Sequence, residues 1–296
     1  METVYKKKFE TISLLFIQLR PKQWTKNLLI FAAPIFSLKI VTLLSFIQSV
    51  VGFFLFCFVS GCVYILNDFM DREADSMHPI KKHRPMASGR LNPYMAICFG
   101  LFLLIGSLIG SYILNPFFML LLLAYFILNL LYSLKLKHVV IMDIMIIAMG
   151  FVFRAIGGGI VIQVPFTPWF LLCTMLISLF LAISKRRHEL LLLNKDKGTH
   201  RKVLESYSSQ LLDQLNTIVA TSTIISYSLF TFFSGRTIQL MWTIPLVIYG
   251  IFRYLYLIHM EDKGGSPEKV LFEDRHILVT VGLYAITVFM ILYFFD

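Results

Sequence analysis

Residues 45–75 read SFIQSVVGFFLFCFVSGCVYILNDFMDREAD. The first 22 of them carry no charge, and the next nine carry three aspartates, a glutamate and an arginine. About 20 apolar residues rising 1.5 Å each cross the ~30 Å hydrocarbon core of a bilayer. The run therefore reads as a spanning helix that leaves the membrane directly into an acidic cluster. Working outward, similar runs at 24–40, 94–113, 117–133, 139–162, 169–184, 212–233, 240–258 and 277–295 bring the total to nine spans. Of the 296 residues, 57% are apolar and 15% charged, against roughly 45–50% and 25% in an ordinary soluble domain. This composition excludes a water-soluble globule and predicts one all-α polytopic membrane domain over residues 1–296, with no soluble domain of any size.

The charges orient the chain. Nine spans put the termini on opposite sides, and 24 of the 27 lysines and arginines then fall on the N-terminal side. Lys39 and Arg236 fall on the other, and Arg154 lies within a span. Basic residues collect in cytoplasmic loops, so the N-terminus is expected in the cytoplasm and the C-terminus outside, in a cell inner (plasma) membrane. For a net charge of +10 on such a chain, the expected anionic partners are lipid headgroups or a phosphorylated substrate, not nucleic acid. Lys6, Lys7 and Lys8 precede a short apolar run with no small-residue cleavage site, so about 5–20 reads as a retained interfacial helix. Cys57, Cys62, Cys98 and Cys173 sit in apolar runs without metal-ligand spacing and read as small core residues. The chemistry gathers in two cytoplasmic stretches, about 67–92 and 185–213.

If the second span stays helical beyond Leu66, Asn67, Asp68, Asp71 and Asp75 fall within an arc of about 100°. Carboxylates crowded at a low-dielectric boundary need a cation. Magnesium suits them, because it takes one or two carboxylates and fills its shell with water and substrate phosphate oxygens. The plainer alternative is a solvated acidic helix end paired with Arg72, Lys81 and Lys82. Lys82 and Arg84 are candidate phosphate ligands, though basic residues here equally mark topology.

The pattern NDxxDxxxD, followed by HPxKxxRPxxSG through Gly89, resembles the UbiA superfamily of intramembrane prenyltransferases, whose fold agrees with nine spans. RPKQWTKN at 20–27, YSLKLK at 132–137, GFVFRAIGG at 150–158 and SKRRHEL at 184–190 look like one branch, the decaprenyl-phosphate phosphoribosyltransferases. The resemblance implies a UbiA-like bundle with its site at the cytoplasmic rim. It also implies magnesium-dependent transfer of 5-phosphoribose from phosphoribosyl pyrophosphate to polyprenyl (decaprenyl) phosphate, for cell-envelope polysaccharide precursors. Asp68 and Asp71 would act at the metal together with Asn67 and Asp75. The second stretch departs from ordinary UbiA enzymes: where they present a DxxxD motif, this chain has Lys185, Arg186, Arg187, Glu189 and Asp196. Cations in place of carboxylates favour substrates that carry more phosphates.

Further candidates stand beside these. Asp143, at the start of the fifth span, is expected near a substrate headgroup. Arg154, in mid-span where a charge costs several kcal/mol, would engage a phosphate or be held by backbone carbonyls at the Gly157–Gly159 break. Glu189 shares a helix face with Lys185 and Arg186, either as a salt bridge or to orient phosphate-binding cations and a ribose hydroxyl. Lys22, Lys26 and Lys135 are candidate phosphate ligands, and Tyr64 and Tyr132 candidate cavity walls. Two competing functions share this sequence: a UbiA enzyme alkylating an aromatic quinone precursor, and a non-enzymatic transporter or lipid carrier. Whether copies associate into a homo-oligomer stays open.

Overall fold

The computed structural model describes residues 2–36, 42–77, 81–165, 167–195, 202–261, 263–265 and 267–295. Among them, eight helices are long and apolar enough to cross a membrane. Backbone contacts divide the chain into two compact units, and the division cuts two helices, between Pro34 and Ile35 and between Ala155 and Ile156.

The first unit opens with α1 (Glu2–Gln18), a 3₁₀ segment Pro21–Phe31 and the start of α2 (Ala32–Phe36). It continues through α3 (Leu43–Met70), α4 (Arg72–Met77), α5 (Pro93–Leu114) and α6 (Pro116–Leu134), and closes with the end of α7 (Met142–Ile162). Caps written in the sequence set these boundaries. Asn92 accepts the Tyr94 N–H at 2.9 Å ahead of Pro93 at the first helical position. Asn115 ends α5 and accepts the Phe117 N–H at 2.8 Å to start α6, the arrangement expected of an amide cap before proline. Leu14, Leu19, Ile65, Met86, Leu91 and Ala96 form one core of this unit.

The predicted span 24–40 takes a different form from the other eight. It is an 11-residue 3₁₀ segment followed by five α-helical residues, and its last four positions lie outside the described residues. Pro34 supplies part of the cause. It has no N–H to give the Ile30 carbonyl, which a regular α-helix would require. That carbonyl instead packs on the α7 backbone at Gly158, where a Cβ would collide with it.

The second unit holds the start of α7, then α8 (Pro168–Lys195), α9 (Ser209–Phe233), a 3₁₀ segment Ile238–Thr243 leading into α10 (Ile244–Met260), α11 (Pro267–Glu273) and α12 (Arg275–Phe294). Ile144, Ala148, Leu179, Ile183, Tyr207 and Leu212 make one of its cores, and Phe180, Ile251, Tyr254, Leu257 and Ile277 another. Helix α8 runs 11 residues beyond the predicted span end at Ser184, so KRRHEL lies on a helix and not in a loop. Outward faces are apolar, with Phe102 and Ile113 among the most exposed side chains, as lipid contact demands. Cys98 is on such a face, exposed and not in a core, whereas Cys57 and Cys62 are buried.

Two outcomes follow from this packing. Gly158→Ala must push the Ile30 carbonyl away, at a cost of about 1–3 kcal/mol. Gly282→Ala, with nothing within 4 Å of the added carbon, should be neutral or stabilising; thermal melts in detergent distinguish the two. Asp274 caps α12 by accepting the Ile277 N–H at 2.8 Å and takes the Arg253 Nη2 at 2.7 Å. The hydrogen bond from Arg253 holds its carboxyl below the usual 3.8. A depressed value adds stability that is complete above the unfolded pKa and is lost as pH falls through the folded one. Asp274→Asn should therefore lower stability by about 1 kcal/mol at neutral pH and flatten the loss below about pH 4, read from melts across pH.

Candidate active site

Near the end of α3, Asp68 is 3% exposed and gathers three donors. Gln18 Nε2 and Arg20 Nη2 each lie 2.5 Å from it, and Arg84 Nη1 lies 2.9 Å away. Arg84 also donates to Asp75, itself buried, and Lys81 Nζ stands 3.7 Å from the other Asp75 oxygen. Arg20 reaches this point because its backbone is left-handed, φ 52°, turning the chain sharply after α1. Its guanidinium stacks 4.7 Å from the Tyr64 ring centre. A buried carboxylate stripped of such donors would be strongly destabilising.

The helix ends at Asp71, whose N–H closes on the Asn67 carbonyl at 2.9 Å. The four residues placed on one face thus separate into a buried pair, Asp68 and Asp75, bridged by Arg84, and a half-buried pair, Asn67 and Asp71, one turn apart. Among the described residues no three His, Cys, Asp or Glu side chains form an all-protein metal cage. Magnesium does not require one, since it keeps waters and phosphate oxygens in its shell. The buried Gln18 Oε1, without a hydrogen-bond partner, adds an unclaimed acceptor oxygen beside Asp68. This donor set fits a magnesium ion that arrives with a phosphorylated substrate.

The remaining candidates of this unit differ in exposure. Lys22, Lys82 and Lys135 are exposed, while Lys26, Tyr64 and Tyr132 are half-buried. Asn27 is buried and donates to Cys57 Sγ at 3.1 Å and Ser60 Oγ at 3.3 Å, so it is a packing residue. Sequence reasoning missed Gln18 and Arg20 as partners of Asp68. The one available signal was Arg20 standing first in RPKQWTKN, and nothing local tied it to a residue 48 positions away.

In the second unit a buried chain of polar groups runs through Asp143, which has no exposed surface. Its Oδ1 accepts the Tyr207 hydroxyl at 2.8 Å and its Oδ2 the Arg186 Nε at 2.6 Å. Arg186 Nη1 continues to Glu189 Oε2 at 2.6 Å. The sequence offered Asp143 at a rim beside substrate and Arg186 either on phosphate or in a salt bridge with Glu189; the structure shows that salt bridge and encloses Asp143 and Arg186, at 0% and 1% exposed. Glu189, with 27% of its side chain exposed, is the open end of this chain. Lys185 is half-buried and Arg187 pairs with Asp213 at 2.5 Å. Arg154 turns back one helical turn, donating to the Gly150 carbonyl at 2.6 Å and lying over the Phe151 ring. This carbonyl lies on the N-terminal side, as expected of a side chain that tilts toward the helix start. Asp196 lies outside the described residues, as do positions 78–80 of the first motif.

Comparison with known proteins accords with this geometry. Residues 28–273 match the UbiA prenyltransferase family. A decaprenyl-phosphate phosphoribosyltransferase of Mycolicibacterium smegmatis is 32% identical over 297 residues, covering 96% of this chain and 93% of its own. The protein of that name from Mycobacterium tuberculosis is 35% identical over 269 residues, 87% of each. Among solved structures, a UbiA homolog from Archaeoglobus fulgidus bound to DMAPP and Mg2+ superposes with a TM-score of 0.71 at 18% identity, covering 95% of this chain and 99% of that one.

Arg84→Ala should leave two buried carboxylates underpaired and lower stability by about 2 kcal/mol, less than a fully buried pair would lose because 29% of the Arg84 side chain is exposed. Adding Asp75→Asn should recover part of that loss. Melts of the single and double variants in detergent check both statements.

Proposed function

We infer that this chain, which belongs to the UbiA prenyltransferase family, transfers 5-phosphoribose from phosphoribosyl pyrophosphate to a polyprenyl phosphate and releases pyrophosphate. The observation that carries the reading is identity of 32–35% over 87–96% of the chain to decaprenyl-phosphate phosphoribosyltransferases. The acceptor is decaprenyl phosphate or a close relative, and the product feeds cell-envelope polysaccharide synthesis. Carboxylates interleaved with arginines around Asp68 support it, since they suit a substrate that brings both phosphate and metal.

Asn67 and Asp71, with Asp68 and Asp75 behind them, would hold magnesium. Bound with the diphosphate, it would neutralise the charge that grows on the leaving group. Arg20 and Arg84, each with 29% of its side chain exposed, would bind phosphate oxygens, and Lys22, Lys26, Lys82 and Lys135 would add positive potential on the same unit, with Lys185 doing so on the second. The bond from ribose carbon 1 to pyrophosphate oxygen breaks as an oxygen of the lipid phosphate bonds to that carbon. A phosphate monoester is largely dianionic at neutral pH, its second pKa being about 6, so the nucleophile needs no general base. Glu189, paired with Arg186 in the second unit, is a carboxylate able to accept from a hydroxyl. Asp143 acts behind Arg186 and does not touch substrate. Tyr64 and Tyr132 line the approach.

We count nine crossings. The 3₁₀ segment rises about 2.0 Å per residue, so its 11 residues and the five of α2 reach about 30 Å, the thickness of the hydrocarbon core. With the basic loops inside, the N-terminus is cytoplasmic in the plasma membrane, and the site opens at the cytoplasmic rim.

Purified protein in nanodiscs, given radiolabelled phosphoribosyl pyrophosphate, decaprenyl phosphate and magnesium, should form lipid-soluble ribose. Chelation should stop it, and Asp71→Asn or Asp68→Ala should lower kcat by about 10²–10³. Prenylation of an aromatic acceptor without lipid-linked ribose would reassign the chain to the alkylating enzymes. Solute flux that ignores both substitutions and magnesium would favour a carrier.

A further inference from the structure

Apolar packing fixes the end of α1 on α3 before any charge is considered. Leu19 is 4% exposed, and its side chain lies so close to Gly61 that a Cβ there would stand 2.7 Å from it. Trp24 Nε1 donates to the Leu19 carbonyl at 3.2 Å, and Leu14, one turn before Gln18, belongs to the same core as Leu19. Asp68 follows Gly61 by seven residues, which puts it about 10 Å farther along α3 and about 20° around it. With Leu19 seated over Gly61, the neighbouring Gln18 reaches the acidic end of the helix with its side chain.

Gln18 is 1% exposed, and only half of its amide is used. Nε2 donates to Asp68 Oδ2 at 2.5 Å, whereas the buried Oε1 has no hydrogen-bond partner among the described residues. An ionised carboxylate only accepts, so Asp68 takes the amide N–H and the amide oxygen faces elsewhere. A buried carbonyl oxygen without a donor carries its full desolvation cost, and an unmet acceptor of this kind points to a bound water or ion. Its place favours an ion. Oε1 belongs to the amide that holds Asp68, whose other oxygen receives Arg20 and Arg84. An amide oxygen is a hard ligand without charge. It adds to a cation's shell without the repulsion that a further carboxylate beside Asp68 and Asp75 would bring.

We propose that Gln18 is a ligand of the magnesium site, giving Oε1 to the ion beside the Asp68 carboxylate. The proposal rests on the magnesium-diphosphate reading above and extends the site from α3 to the end of α1, within the first unit. The side chains of Arg20 and Arg84 are 29% exposed against 3% for Asp68, so they stand between it and solvent. As they turn to phosphate oxygens, Asp68 and Oε1 open together.

Two substitutions separate the oxygen of the amide from its N–H. Gln18→Leu and Gln18→Glu both lose the donor to Asp68, and only Gln18→Glu keeps an oxygen in place. Manganese pyrophosphate is the probe. Full-length protein in nanodiscs is dialysed to equilibrium against it with radiolabelled metal, empty nanodiscs serving as the blank, and bound manganese is counted. Gln18→Leu should raise the Kd about tenfold, whereas Gln18→Glu should hold it at or below that of the unaltered chain. Melts in chelator should rank differently: the extra carboxylate of Gln18→Glu beside Asp68 lowers the melting temperature until manganese pyrophosphate is added. An unchanged Kd for Gln18→Leu would overturn the proposal. So would Gln18→Glu weakened as far as Gln18→Leu, which would make Gln18 an anchor of Asp68 and nothing more. If the unaltered chain binds no manganese pyrophosphate, the magnesium reading falls and takes this proposal with it; if it binds and Gln18→Leu binds equally well, the role of Gln18 alone fails.

Discussion

A carboxylate can be kept at the end of a hydrophobic helix only if cations share its burial, and Asp68 is where this chain meets that condition. Its partners come from 50, 48 and 16 positions away in sequence. Drawing them together pulls the end of α1, the left-handed corner at Arg20 and the stretch around Arg84 onto one point of α3. Arginine suits this work better than lysine, because its planar fork can serve two carboxylates from one side chain, as Arg84 does for Asp68 and Asp75. The local path of the first unit beside its acidic motif is in large part the path that satisfies this one charge.

The second unit obeys the same rule with a different result. Asp143 and Arg186 are enclosed, and both oxygens of the carboxylate are engaged. A buried ion pair contributes little net stability, since desolvation offsets the Coulombic gain, while breaking one costs several kcal/mol. Such a pair is therefore better explained by the geometry it imposes than by the stability it adds. Around Asp68 the arrangement is less closed: Gln18 Oε1 has no partner, and the side chains of Arg20 and Arg84 are each nearly a third exposed. One cluster holds a shape; the other has acceptor capacity and cations left for something to bind.

Sequence periodicity and charge sidedness made most of the fold legible, because spanning helices are long, apolar and bounded by charges. Eight of nine expected spans appear as such helices, and amide caps at Asn92 and Asn115 mark two of the boundaries. The first span was legible as an apolar run but not as a 3₁₀ segment. That form answers to Pro34 and to the Gly158 backbone, and the latter contact joins positions more than 120 apart. For the site, the helical arc from Asn67 to Asp75 marked out a set of acids but not their separation into two pairs, since the helix breaks at Asp71. Arg20, Gln18 and Tyr207 were invisible because their importance comes only from what they touch. The enclosure of Asp143 and Arg186 was not legible because charge in a sequence carries no record of burial.

The composition of the first cluster bears on how substrate enters it. Asp68, Asp75, Arg20 and Arg84 together sum to no net charge, and Lys81 beside Asp75 adds one positive charge, so this core does not repel an anion. A divalent cation arriving alone would leave excess positive charge near a low-dielectric boundary, and a diphosphate arriving alone would leave excess negative charge; either imbalance is expensive there. A magnesium diphosphate brings both signs at once. Carboxylates can then turn to the metal and guanidinium groups to the phosphate oxygens, with Lys81 beside Asp75 left to offset the remaining negative charge. On the proposed function, the ion pairs seen in the protein by itself would be the arrangement that the substrate's own charges replace, which would tie the stability of the cluster to its selectivity for a metal-bound diphosphate over either component.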